Sequence, residues 1–226
     1  MCGRKTLTKG KLEIIEELLI DEWDDNPEYK PNYNIAATDL NPVMFLNDSK
    51  RKVKMMRWGL IPSWAKDDKF AAKMINARAE TLTEKPSFRS LINTNRCVII
   101  SDGFYEWMKT AGQKQPYYII QPDHSLMPMA GLWSLWKNAQ GNLINSYTII
   151  TTKANRQISF LHERMPVILT KKDIELWINC EDTNKNEALD LLHPYNKDLE
   201  IYPVSARVNS IKYNEPACIE NIAKNG

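Results

Sequence analysis

Glycine is scarce in this chain of 226 residues, with 8 in all, and neither G-x-x-x-x-G-K-[ST] nor G-x-G-x-x-G occurs. Without such a phosphate-cradling loop, nucleotide-driven chemistry and a nucleotide cofactor are not expected. Long hydrophobic runs are missing too. Stretches such as Cys97-Val98-Ile99-Ile100 fall far short of the roughly 20 residues that a membrane-spanning helix needs. The amino terminus opens polar and basic rather than with an apolar signal core, so a cytoplasmic protein with no membrane partner is expected. Cysteine is limited to Cys2, Cys97, Cys180 and Cys218, with no C-x-x-C pair and no zinc-spaced histidine. A disulfide framework and a metal site are therefore not expected. Charge of one sign is lacking overall, since 30 basic side chains face 28 acidic ones.

That near-neutral total hides an uneven distribution. Residues 51–120 carry 13 basic and 6 acidic side chains, whereas residues 1–50 carry 6 and 10. The basic segment also holds Trp58, Trp64, Phe70, Phe88, Phe104, Tyr105, Trp107, Tyr117 and Tyr118. Cations interleaved with flat rings are what a single-stranded nucleic acid groove uses, and they equally describe a solvated basic face over an aromatic core. With 43% hydrophobic and 26% charged residues, the composition is that of an ordinary globular protein. The length fits one compact domain over residues 1–226.

Hydrophobic periodicity predicts a helix over residues 9–22 capped by Thr8, with Leu12, Ile15, Leu18 and Leu19 inward. Strands are predicted at 42–46, 52–60, 96–107, 116–121, 127–136, 146–152 and 199–205. Further helices are expected at 155–161, at 171–178 behind a Thr170-x-x-Asp173 capping box, and at 184–192. Strands dominate the middle and helices the flanks, so the class is α+β with mainly antiparallel pairing.

The chemistry starts at Met1-Cys2-Gly3-Arg4. Removal of Met1, expected before so small a second residue, leaves Cys2 with an α-amine beside its thiol. The amine titrates at about 7.7–8.0 and a free thiol at about 8.5, so both are expected to be partly nucleophilic near neutral pH with little help from the protein. Such a 1,2-aminothiol condenses with an aldehyde, first to an imine and then to a five-membered thiazolidine. No internal cysteine can do this.

Further strings run the length of the chain: Tyr33-Asn34-Ile35-Ala36, Trp58-Gly59-Leu60-Ile61-Pro62-Ser63-Trp64, Ile75-Asn76-Ala77-Arg78-Ala79-Glu80-Thr81, Asp102-Gly103-Phe104-Tyr105-Glu106-Trp107, Ala130-Gly131-Leu132-Trp133, Ile150-Thr151-Thr152, and Leu161-His162-Glu163-Arg164-Met165-Pro166. Together with the Cys2 terminus they resemble the SRAP (SOS response-associated peptidase) family of abasic-site processing proteins. The resemblance implies a single α+β domain around a β-barrel-like core, working as a monomer without cofactor. It also implies a sensor and shield of abasic sites in single-stranded DNA that crosslinks itself to the lesion through Cys2, with possible lyase-like and autopeptidase activities. In a bacterium, association with the nucleoid or replication fork follows.

Position by position, the resemblance makes Cys2 the nucleophile, Asn76 the residue that positions the N-terminus, Glu106 the carboxylate beside it and His162 the imidazole over the sugar. Arg4, Arg78 and Arg164 match phosphate contacts, Trp64 a wedge that separates bases, and Thr151 a further lesion-proximal position. Trp58 and Trp107 either stack on bases or pack. Ala37 stands where the family usually has Pro, which removes a ring constraint from one edge of the wedge. Two other classes remain open: a cysteine autopeptidase or N-terminal nucleophile hydrolase, and a non-covalent reader of modified or single-stranded DNA.

Overall fold

The computed structural model describes residues 2–24, 26–110 and 113–224; Met1, and with it the expected trimming, lies outside them. The strands are β1 (Arg4–Leu7), β2 (Glu22–Trp23), β3 (Asn32–Ala36), β4 (Leu40–Asn47), β5 (Lys50–Trp58), β6 (Asn76–Arg78), β7 (Arg96–Ile99), β8 (Gly103–Thr110), β9 (Gln113–Ile120), β10 (Met129–Lys137), β11 (Leu143–Lys153), β12 (Arg164–Pro166) and β13 (Glu200–Pro203). The α-helices are short: α1 (Lys11–Leu18), α2 (Leu91–Thr94), α3 (Lys171–Ile178) and α4 (Lys185–Asp190).

One sheet runs β11-β10-β7-β4-β5, and a parallel pairing of β5 with β11, Arg57 opposite Ser146 and Trp58 opposite Tyr147, closes it into a five-stranded barrel. A second sheet, in the order β13-β9-β8-β1-β3, is built from antiparallel pairs. The expected α+β class and barrel-like core are thus observed. The core is lined by side chains such as Val43, Met44, Met56, Trp58, Val98, Leu132, Tyr147 and Ile149, all fully buried.

Several expected elements change. The first helix begins at Lys11 behind Gly10, because both the Thr8 hydroxyl and its N–H are spent on Asp102 Oδ2, at 2.7 and 2.5 Å. It turns Ile14 and Leu18 inward and leaves Leu12 76% and Leu19 69% exposed. The run at 96–107 breaks into β7 and β8 at Ile100–Asp102; there Asp102 accepts from Thr6 and Thr8, and Ser101 donates to Thr6 O and Gly103 O. Residues 155–161 form turns rather than a helix, with Asn155 Oδ1 accepting from Ile158 N–H and Asn155 Nδ2 donating to Tyr195 O. The Thr170 capping box is formed as expected from its spacing, and α4 carries a further one between Asn184 and Glu187.

Candidate functional site

β11 is the strand on which the site is assembled. Its Ile149–Thr151 stretch pairs in parallel with Asn76–Arg78 of β6, and its Thr151–Lys153 stretch pairs antiparallel with Arg164–Pro166 of β12. Thr151 is flanked by Arg78 on one edge and Pro166 on the other. Asn76 and the segment that starts at His162, far apart in sequence, thereby flank one strand, and the β1–β8 pair of the second sheet carries Cys2 and Glu106, with Cys2 meeting Asn76.

Cys2 lies just ahead of β1 and is fully buried. Asn76 Nδ2 donates to its carbonyl oxygen at 2.8 Å, which fixes the residue that presents the thiol. Asn76 Oδ1 is buried and has no hydrogen-bond partner among the described residues, so an acceptor is ready beside the chain end. Glu106, on β8, is buried, and burial pushes its carboxyl above the usual carboxylate range. Burial, reinforced by the negative charge of Glu106, pushes the Cys2 thiol up to about 12. This corrects the expectation of a thiol that ionises readily by itself: removed from water, it stays protonated at neutral pH and needs a base.

His162 precedes β12, and its Nδ1 accepts from the Arg164 N–H at 2.9 Å. The bond selects the neutral tautomer with the proton on Nε2, the nitrogen through which this ring would exchange protons with a ligand. Arg164 is largely buried. It grips both Glu80 oxygens, at 2.6 and 2.9 Å, and donates to Thr151 O at 2.6 Å. Thr151 is fully buried, its hydroxyl between Ala77 O and Arg164. Both act here as internal braces that lock β12 and the segment after β6 onto β11. Glu80, within the Ile75–Thr81 string, was the missed partner; its carboxylate two residues after Arg78 was the signal.

Arg78 is exposed, as expected for a phosphate contact, and no hydrogen bond or ion pair engages it among the described residues. Arg4 is half-buried and donates to Asn34 Oδ1 and Val208 O, at 2.6 and 2.7 Å, so one end of its guanidinium ties β3 to the C-terminal segment. Trp64 is 66% exposed on the loop after β5. That loop starts at Gly59, whose φ is 125° and where an added Cβ would fall 2.5 Å from Ala71 O, so no side chain fits. Trp58 packs in the core with Nε1 donating to Ile75 O at 2.9 Å, and Trp107 donates to Asn209. Beside Ala37 the turn is held without proline, by Asp39 Oδ2 accepting from Ala36 N–H and by Thr38 N–H donating to Trp58 O, both at 2.8 Å. All four cysteines are free. Among the described residues no group of three His, Cys, Asp or Glu side chains is placed to hold a metal, and no helix is long and apolar enough to cross a membrane.

The raised Glu106 carboxyl has a measurable consequence. A carboxyl whose folded value lies above its unfolded one stabilises the fold at low pH and costs stability as pH rises through the folded value. Glu106→Gln is therefore expected to melt higher than the parent at pH 7.5, with the difference closing towards pH 4. A lower melting temperature for the variant at pH 7.5 would contradict this.

The chain matches the family model described as SOS response associated peptidase (SRAP) over residues 1–211. It is 45% identical to the abasic site processing protein YoqW of Bacillus subtilis (strain 168), covering 98% of this chain and 100% of that protein. It is 35% identical to the abasic site processing protein HMCES of Gallus gallus over 97% of this chain and 77% of that one. A crystal structure of a protein from Bacteroides thetaiotaomicron shares the fold with a TM-score of 0.86 at 27% identity, covering 97% of this chain and 99% of that one.

Proposed function

The chain belongs to the SRAP family, and from that premise we propose that it processes abasic sites in single-stranded DNA by forming a covalent thiazolidine crosslink through Cys2 once Met1 has been removed. The observation that carries the reading is the seating of Cys2: Asn76 holds its carbonyl, and Glu106 is near enough to raise the proton affinity of its thiol. The names of the relatives, abasic site processing proteins, support the substrate.

The steps follow from the groups present. The open-chain aldehyde of an abasic sugar is its minor form, and His162 assists ring opening by moving a proton at the ring oxygen. The α-amine of Cys2 adds to the aldehyde carbon to give a carbinolamine. Glu106, whose burial lets it hold a proton nearer neutral pH, supplies that proton to the departing hydroxyl, and water leaves to give the protonated imine. Glu106, now a carboxylate, then takes the thiol proton. Sulfur forms the C–S bond while the C=N π pair returns to nitrogen, which keeps its proton and becomes a neutral ring amine. Aldehyde and aminothiol have become thiazolidine and one water, with general acid–base work done by one carboxyl and one imidazole.

The deciding experiment is the intact mass of the purified protein before and after incubation with an oligonucleotide carrying one abasic site. The expected adduct lacks Met1, equals protein plus DNA minus one water, and survives heat and denaturant. A complex that falls apart on a denaturing gel would sink the covalent reading in favour of a reader, and an adduct still formed after the α-amine is blocked would sink the ring.

Arg78 and Trp64 are the exposed members of the proposed DNA contact. Arg78→Ala is expected to weaken binding of undamaged single-stranded DNA and to flatten the slope of log K against log salt by about 0.7, the share of one phosphate contact on a single strand. The deficit is therefore largest at low salt. Arg164→Ala is expected to leave the slope alone and to cost about 1–3 kcal/mol of stability, because the buried Thr151 carbonyl and the Glu80 carboxylate lose their partner. Salt titrations of binding and urea melts of both variants separate the two roles.

A further inference from the structure

Phe160 is 56% exposed, yet its ring is anchored. It belongs to the turn at 155–162, where Ile158 O accepts from the N–H groups of both Leu161 and His162, at 2.8 and 3.2 Å. Leu161 is turned into the core, so Phe160 and His162 flank a fixed residue. The turn is tied to the chain beyond α4 at two further points: Asn155 Nδ2 donates to Tyr195 O at 2.8 Å, and Gln157 donates to Lys197 O and accepts from Leu199 N–H, both at 3.0 Å. The Phe160 ring meets Tyr117 of β9 edge to face, with centroids 5.9 Å apart and planes at 88°. Tyr117 lies directly opposite Glu106 in the β8–β9 ladder, and residues so paired put their side chains on the same face of the sheet with Cβ atoms about 5 Å apart. Phe160 therefore touches the cross-strand neighbour of the candidate carboxylate and stands two residues before the candidate imidazole.

We propose that the Phe160 ring stacks on the base next to the abasic sugar, taking the place of the base that the lesion lacks. The inference rests on the DNA reading above and deepens it, by adding a contact that selects what flanks the lesion. A base beside an abasic site has lost the stacking partner on one of its faces, and an open phenyl face is a flat apolar surface that replaces it. The edge-to-face contact with Tyr117 covers at most one face of the Phe160 ring, so the other stays in water. Isolated exposed phenylalanines need no explanation by themselves. This one is set apart by its contact with Tyr117 at the candidate site and by a turn already ordered, which lowers the entropy cost of presenting the ring to a ligand. The same segment carries exposed Lys153 and Arg156, and cations near flat rings suit a single strand, whose backbone follows the charge while its bases stack.

The test is equilibrium binding of wild type, Phe160→Ala and Phe160→Trp to single-stranded oligonucleotides carrying a tetrahydrofuran abasic analogue, which has no aldehyde and cannot form the adduct. The analogue is flanked by adenine on both sides, or by a second analogue in place of the 5′ or the 3′ adenine. For the wild type, loss of one of the two adenines is expected to weaken binding about tenfold, within the range for a base stacked on an aromatic side chain. Phe160→Ala is expected to bind the intact probe about tenfold more weakly and to lose less than about twofold more when that same adenine is removed, because ring and base act as one coupled pair. Phe160→Trp binds as the wild type does and keeps its sensitivity to the adenine. A merely structural role for Phe160 leaves no such coupling to one base. Equal losses in wild type and Phe160→Ala on removal of either adenine would overturn the proposal, as would tight binding of the intact probe by Phe160→Ala. Wild type that binds none of the probes overturns it together with the DNA reading, whereas wild type that binds them as expected but forms no adduct with a natural abasic site strikes the covalent reading alone.

Discussion

Cys2→Ala is expected to abolish the heat-stable adduct with abasic single-stranded DNA, while Cys97→Ala, Cys180→Ala and Cys218→Ala retain it. Ring closure needs an amine and a thiol on adjacent carbons, which only residue 2 can offer once Met1 is gone. The other three thiols are seated elsewhere: Cys97 on β7 in the barrel wall, Cys180 beyond α3, and Cys218 buried in the C-terminal segment. Cys2→Ser separates the two halves of the chemistry. It keeps the amine, so an imine should form and be trapped by borohydride, but closure through oxygen should give a product that heat reverses. A wild-type yield of heat-stable product from Cys2→Ala, read on denaturing gels, would refute the thiazolidine mechanism.

His162→Ala is expected to slow reaction with a natural abasic site by about 10²–10⁴-fold, the range for a lost general acid, and to recover most of that rate with a simple open-chain aldehyde. Glu106→Gln should be slow with both substrates, because its proton transfers follow the arrival of the aldehyde. The tautomer set by the Arg164 N–H puts the ring proton on Nε2, and the same atom would return a proton to the sugar when the adduct reverses. His162→Ala is accordingly expected to impair reversal as well as formation. Equal slowing of this variant on the open-chain aldehyde would move His162 from the sugar to the seating of Cys2.

Much of this was legible in the sequence. Seven predicted strands fall on observed ones, because alternation and β-branched runs report directly on a half-buried pleat. The helix at Lys171 was readable from its capping box, a purely local signal. What stayed hidden depended on partners distant in sequence. Thr8 looks like a helix cap until Asp102 is placed beside it. The string around Arg164 does not reveal that Glu80 and Thr151 hold its guanidinium. β1, β3, β6 and β12 are three to five residues long, too short to show a period, and they exist because a longer strand is there to pair with. The thiol of Cys2 was misjudged for the same reason: its acidity is set by burial, which the residue type alone does not report.

The closing of the barrel by β5 on β11 has a consequence for the chain as it is made. Cys2 is among the first residues to leave the ribosome, yet Asn76, which holds its carbonyl, is fixed on β6 only when β11, a strand that ends at Lys153, has been synthesised and inserted. Contacts spanning so much sequence form late. Under the proposed function, an unfinished or misfolded copy would carry Cys2 without the seating that Asn76 gives it. Integrity of the whole chain would then be a licence that each molecule must hold before it engages damaged DNA.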